Sequence, residues 1–162
     1  MKKAILLVDD DPCRRALLGG VLERSGYAVV LGGHRREAAR CLKAAECDLL
    51  LLDLDLAGGS GFDVLDVAAR HPEVPVVVLT EQLGQCDRGA LIGADAVVEK
   101  PTDAELLLGT LERLFGEPTD KRKERRARGS GGIRFVSALR RNGAAAAQLD
   151  ARREQVSLVA GK

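Results

Sequence analysis

The sequence is poor in the features that mark secreted, membrane-bound or thiolate-metal proteins. Its four cysteines, Cys13, Cys41, Cys47 and Cys86, form no C-x-x-C pair, and no histidine stands at ligand spacing from them. That pattern predicts reduced thiols in a cytosolic protein. Met1-Lys2-Lys3 precedes only the apolar stretch Ala4 to Val8 before an acidic triplet, too short for a signal-peptide core. No apolar run approaches the ~18–20 residues of a membrane span. The chain is therefore expected to be soluble and cytoplasmic, with no membrane attachment. Aromatic residues make up only 2% of it, and Phe135 is the one aromatic after residue 116. Base stacking on a nucleic acid is thus poorly provided for.

What the chain has in quantity is charge, unevenly divided. Residues 1–116 carry 13 Lys and Arg against 19 Asp and Glu, whereas residues 117–162 carry 12 against 5. The formal net charge of +1 conceals an acidic globule with a basic tail. A length of 162 residues suits one domain with an appendage.

The body is organised around LLLLDLDLAGGSG, Leu49 to Gly61. Four leucines run into Asp53 and Asp55, and the sequence then breaks into Ala57-Gly58-Gly59-Ser60-Gly61. A short apolar run bounded by turn residues reads as a strand buried on both faces of a parallel sheet. Asp53 falls at its carboxyl end, where open α/β sheets place their ligands. An unpaired buried charge costs several kcal/mol, so this carboxylate requires partners.

The rest of the body repeats the pattern. Ala4 to Val8 is a second apolar run, ending in Asp9-Asp10-Asp11-Pro12, and a helix is expected from Pro12 to Ser25 with Ala16, Leu17, Val21 and Leu22 inward. Gly19-Gly20 weakens that helix locally. A strand at Ala28 to Leu31 precedes a helix from Arg35 to Glu46, and a helix from Phe62 to His71 follows the glycine loop. Pro75 to Thr80 reads as the fourth strand, Gln85 to Ile92 as the fourth helix, and Val97-Val98 as the fifth strand. Thr102 or Asp103 caps a fifth helix reaching about Phe115. Strands alternating with helices through short connections give an α/β fold, a five-stranded doubly wound parallel sheet with helices on both faces.

In such a sheet the strand ends share one edge. That edge collects Asp9 and Asp10, Asp53, Thr80 and Lys100. Two like charges about 4 Å apart repel by roughly 4 kcal/mol at an effective dielectric of 20. The cluster therefore calls for a hard divalent cation, Mg²⁺ or Mn²⁺, with Lys100 neutralising part of the remainder.

The motifs ILLVDDDP, LLLLDLDLAGGSGFDVL, PVVVLT and GADAVVEKP, in this order and at these separations, resemble the receiver (CheY-like, flavodoxin-like) domain of bacterial two-component response regulators over residues 2 to 116. The resemblance implies that Asp53 is the phosphoacceptor, fed by a phosphohistidine on a sensor histidine kinase or phosphotransfer protein. It implies Mg²⁺ held by Asp9, Asp10 and Asp53 and by the main-chain carbonyl of Asp55. Thr80 would hydrogen-bond the phosphoryl group, Lys100 would pair with it, and the Lys100-Pro101 peptide would be cis. An in-line transfer needs an oxygen nucleophile, a metal and a cation for the phosphoryl oxygens, which fits these roles. Output would be contact with a downstream partner protein, with a possible homodimer through the face of the fourth helix, fifth strand and fifth helix.

Departures from the family pattern fall at the switch and access positions. Val97 stands where an aromatic residue is usual. Glu81 follows Thr80 where a small residue is usual; it would repel phosphodonors or orient a water for dephosphorylation. Ala57 replaces a common Pro and Ser60 a common acid. The side chain of Asp55 either strengthens metal binding, governs dephosphorylation or points away while its carbonyl binds. Residues 1–116 are thus expected to form the receiver and 117–162 a basic linker or tail, disordered or marginally helical, with short helices conceivable over Ile133–Leu139 and Ala144–Val159. The alternative is an electrostatic arm for nucleic acid, an acidic partner or the receiver's own acidic face. Nucleic acid is the less expected partner and would bind through phosphate charge alone.

Two other classes fit less well. Asp53-Leu54-Asp55 resembles the D-x-D of haloacid-dehalogenase-type phosphatases, but there the motif precedes the metal-binding acids, whereas here it follows Asp9 and Asp10. A dinucleotide fold lacks its G-x-G-x-x-G. The expectation is a signalling protein, at most self-catalysing phosphotransfer and autodephosphorylation. Its rival is a receiver-like interaction module that works without phosphorylation.

Overall fold

A computed structural model describes residues 1–57, 61–81, 83–85 and 87–138. Five parallel strands make the core of the sheet: β1 (Ala4–Val8), β2 (Ala28–Gly32), β3 (Leu49–Asp53), β4 (Val76–Thr80) and β5 (Ala96–Glu99). Their continuous apolar runs arise because alternate residues serve two different cores. Leu6, Leu50 and Val76 face one side, against Leu42 of α2 (Arg35–Lys43) and Leu65 of α3 (Gly61–Ala69). Ile5, Leu49 and Val77 face the other, against Leu22 of α1 (Pro12–Arg24) and Leu107 and Leu111 of α4 (Ala104–Gly116). This α4 is the fifth helix expected from the sequence, and Asp103 caps it by accepting from the amide of Leu106. Gly61, at the start of α3, is required by close approach, since a Cβ there would lie 2.6 Å from the carbonyl oxygen of Leu54.

The sheet has six strands rather than five. β6 (Arg134–Val136) pairs in parallel with β5, giving the order β2-β1-β3-β4-β5-β6. It comes from the segment expected to be a disordered or marginally helical tail. Its described part, residues 117–138, instead forms α5 (Thr119–Arg126), a 3-10 turn (Gly129–Gly132) and β6. The basic run turns inward. Arg122 donates to the carbonyls of Pro72 and Glu73, and Arg126 donates to the carbonyl of Val74. Arg125 and Arg126 both ion-pair with Asp95, which is fully buried just before β5. Charge pairing across the amino end of the sheet fixes this segment together with the burial of Ile133 in the core, and neither leaves a hydropathy pattern in the sequence. The helix expected over Ala144–Val159 lies outside the described residues.

Two further expectations are corrected. No helix spans Gln85–Ile92; among the described residues this stretch is a series of turns, with the amides of Ala90 and Leu91 bonding the carbonyls of Asp87 and Arg88. The Asp87 carboxylate takes the amide of Gly89 at 2.9 Å, a local bond that competes with helix formation, and Gly93 has φ +107°. In α1 the inward residues are Gly19 and Leu22, while Ala16 and Leu17 are exposed. A Cβ on Gly19 would come within 3.2 Å of Leu31, so this glycine lets α1 lie close on β2. That rotation places Arg14, Leu18 and Leu22 on one helix face at i, i+4 and i+8. Among the described residues no helix is long and apolar enough to cross a membrane.

Candidate active site

The carboxyl ends of β1 and β3 are neighbours at the point where the strand order reverses, the usual ligand crevice of a doubly wound sheet. Asp53 ends β3 and is fully buried. Its Oδ1 accepts from Lys100 Nζ at 2.7 Å and from the amide of Asp55 at 2.9 Å. Asp9, also buried, accepts the amide of Asp11 on Oδ1 at 2.8 Å. Asp10 is partly exposed and accepts the amide of Ala57, which ties the loop after β3 to the loop after β1. Oxygens of Asp9, Asp10 and Asp53 lie within 4.8 Å of one another. Three hard oxygen donors so close fit a hard divalent cation.

Lys100 follows β5, its amide held by the carbonyl of Thr80, and the Lys100-Pro101 peptide is cis. Its ammonium also lies 3.6 Å from Asp55 Oδ2. The Asp55 side chain does not point away; Oδ2 accepts the amide of Glu81 at 3.3 Å. Thr80 ends β4 and is buried, and Glu81 stands at the mouth of the site. Val97 is fully buried in β5. Its register partner is Phe135 of β6, whose ring lies 4.5 Å from the guanidinium carbon of Arg88.

Sequence reasoning missed Arg14. Its Nη2 lies 3.0 Å from Asp53 Oδ2, 3.2 Å from Asp9 Oδ1 and 3.8 Å from Asp10 Oδ1. The bond to Asp9 raises the Arg14 guanidinium above its already high range. Asp11 caps α1 by accepting the amides of Cys13 and Arg14, and the Arg14 amide leads in holding its carboxyl below the usual range. The i,i+4 spacing of Asp10 and Arg14 was the one sequence signal for this contact. Arg15 was missed as well; it donates to the main-chain carbonyl of Asp9 at 2.6 Å.

The sequence pattern of the response regulator receiver domain matches residues 5–112, and the chain belongs to that family. The transcriptional regulatory protein AruR of Pseudomonas aeruginosa is 33% identical over 141 residues, covering 82% of this chain and 54% of AruR. The chain spans about half the length of the curated relatives it matches. The receiver domain of the sensor histidine kinase PA1611 of P. aeruginosa, solved with magnesium coordinated in its active site cleft, superposes with a TM-score of 0.66 at 26% identity, covering 72% of this chain and 100% of that one. The response regulator TrrA of Thermotoga maritima, solved in complex with the histidine kinase ThkA, gives a TM-score of 0.64 at 28% identity, covering 70% of this chain and 99% of that one.

Proposed function

We propose that Asp53 accepts a phosphoryl group from a phosphohistidine of a sensor kinase or phosphotransfer protein, and that the acyl phosphate switches contact with a downstream protein. The observation that carries this reading is the Asp53 carboxylate itself. It is buried at a strand end, one oxygen is held by Lys100, and the other accepts from Arg14 within the acidic cluster. A carboxylate oxygen forms the new bond to phosphorus while the bond from phosphorus to the donor nitrogen breaks, the histidine leaving with the electron pair and taking a proton. Lys100 holds a phosphoryl oxygen, and Thr80 turns its hydroxyl to the new group.

Asp9, Asp10, Asp53 and the carbonyl of Asp55 would hold Mg²⁺, which when bound supplies charge neutralisation for the transferring group. The magnesium-containing receiver of PA1611 and the kinase-bound TrrA support both the metal and the class of donor. Leu17, exposed beside the site, offers a protein donor an apolar contact. The chain acts as a phosphoacceptor and not as a turnover enzyme. The homodimer face expected from the sequence is altered. The outer edge of β5 is occupied by β6, and the helix that would flank it is replaced by turns among the described residues. Partner contact through the β5 edge therefore involves β6.

Intact-protein mass after incubation with Mg²⁺ and acetyl phosphate tests the reading. A gain of one phosphoryl group in the wild type and none in Asp53→Asn is expected. Failure with acetyl phosphate and with a phosphorylated kinase domain would favour the phosphorylation-independent module.

A further inference from the structure

The carboxylate cluster already holds a cation, supplied by the chain. Arg14 Nη2 sits among the same three carboxylates that suit a divalent ion, bonding Asp53 Oδ2 and Asp9 Oδ1 and lying within ion-pair range of Asp10. A guanidinium carries its charge at every accessible pH, so it can vacate the cluster only by moving. A metal needs those oxygens at about 2.0–2.1 Å for Mg²⁺, which leaves no room for a nitrogen in the same place.

Arg14 has somewhere to go. Its side chain is 42% exposed, and Glu81 Oε1 already lies 3.8 Å from Nη1 on the outer side. Asp11 Oδ2 lies 3.8 Å from Nε. Lys100 cannot substitute for Arg14 in the cluster, since its ammonium binds the opposite oxygen of Asp53 and is far more buried.

We propose that Arg14 is an internal counter-cation that fills the metal position until Mg²⁺ displaces it toward Glu81. The proposal rests on the metal reading of Asp9, Asp10 and Asp53 and adds a regulator of that site. Metal affinity then reflects a displacement rather than simple filling of an acidic hole. The acids stay partly neutralised in the metal-free protein, and a positive charge moves to the mouth of the site when the metal enters. Glu81 gains a role that its sequence position did not suggest, as the partner of the displaced arginine.

The test is a Mn²⁺ titration of the full chain followed by electron paramagnetic resonance of the free ion, repeated with Mg²⁺ by calorimetry. Arg14→Met is expected to bind on the order of tenfold more tightly than wild type, because two charge-assisted hydrogen bonds need no longer be broken. A local structural defect would weaken binding, so a gain cannot arise from damage. Arg15→Met removes a neighbouring positive charge that donates to the Asp9 main-chain carbonyl rather than to a carboxylate of the cluster, and it separates displacement from general electrostatics. Its affinity should change by less than about threefold, since a charge outside the cluster acts through solvent. In the metal chelator EDTA, Arg14→Met should melt below wild type, and saturating Mg²⁺ should close the gap. Unchanged or weaker binding in Arg14→Met, or equal gains in both variants, would overturn the displacement while leaving the metal site intact. Absence of binding in wild type and Arg14→Met alike would overturn the metal reading and the displacement together. If wild type binds metal but gains no phosphoryl group, the functional reading fails, and a tighter Arg14→Met still upholds the displacement.

Discussion

The two ends of the sheet carry ion clusters of opposite design. Among the described residues, Asp9, Asp10, Asp11, Asp53, Asp55 and Glu81 at the carboxyl end ion-pair with Arg14 and Lys100. At the amino end, Asp95 and Glu117 face Arg125, Arg126 and Arg134. The arginine excess there is absorbed by main-chain carbonyls, those of Asp95 and Gly132 for Arg125 and that of Val74 for Arg126. The first cluster is short of positive charge, half open, and holds a cation that can withdraw. The second is rich in arginine and closed, with the buried Nη1 atoms of Arg126 and Arg134 donating no hydrogen bond. An acid-rich, half-open site suits exchange of charge, whereas a buried ion-paired one suits permanent attachment.

The comparison breaks most visibly at Asp95. Asp95→Ala should cost about 3–5 kcal/mol in urea unfolding, because it strands two arginines that are nearly buried. It should also release α5 and β6, read as fast hydrogen exchange along the outer edge of β5. Glu117→Gln is the milder lesion at the same end, about 1–2 kcal/mol at neutral pH. Arg125 leads in holding the Glu117 carboxyl below its ordinary value near 4.5. A depressed folded value means that the contribution is complete above about pH 4.5 and is lost as pH falls through the folded value. The acid limb of the stability profile should therefore be flatter in Glu117→Gln than in wild type.

At the open end, Arg14→Met should lower metal-free stability by only about 1 kcal/mol, since this arginine is partly solvated. The smallest effect is chemical. Cys13 lies exposed at the start of α1, whereas burial pushes the Cys47 thiol, which lines a pocket with Glu117 and Arg122, up to about 11. At pH 8 an alkylating reagent should label Cys13 and spare Cys47 on peptide mapping. Cys47 should become reactive once Asp95→Ala opens the amino end. Cys41 is likewise buried and free, and Cys86 lies outside the described residues.

The contrast also explains what could be read from residues alone. Strands buried on both faces announce themselves as unbroken apolar runs, and a carboxylate at the end of such a run has little reason to be there except chemistry. The five-strand core and the cluster of acids were therefore legible. β6 was not, because three residues acquire strand geometry only by pairing, and Arg134-Phe135-Val136 has no pattern of its own. Arg122, Arg125 and Arg126 looked like a solvated run because most of their acceptors lie roughly 30 to 50 residues away in the chain. Of the alternatives weighed for the basic tail, the receiver's own acidic groups are what these arginines hold. The Gln85–Ile92 helix failed for a local reason, an Asp side chain bonding a glycine amide two residues on. Arg14 escaped notice because it is one of two adjacent arginines on a helix, and only the rotation imposed by Gly19 decides which of them enters the site.

The sixth strand has a consequence during synthesis. The five-strand sheet is complete once α4 has left the ribosome, yet the outer edge of β5 stays bare until β6 and Ser137, which donates to Glu99, have followed. At the usual pace of about 5–20 residues per second, that interval lasts on the order of one to four seconds. A nascent chain in that interval exposes an unpaired row of amides and carbonyls to every neighbour on the same message. A truncation after residue 116 would prolong that exposure for the life of the protein, so the extension covers an edge that the receiver core leaves unpaired.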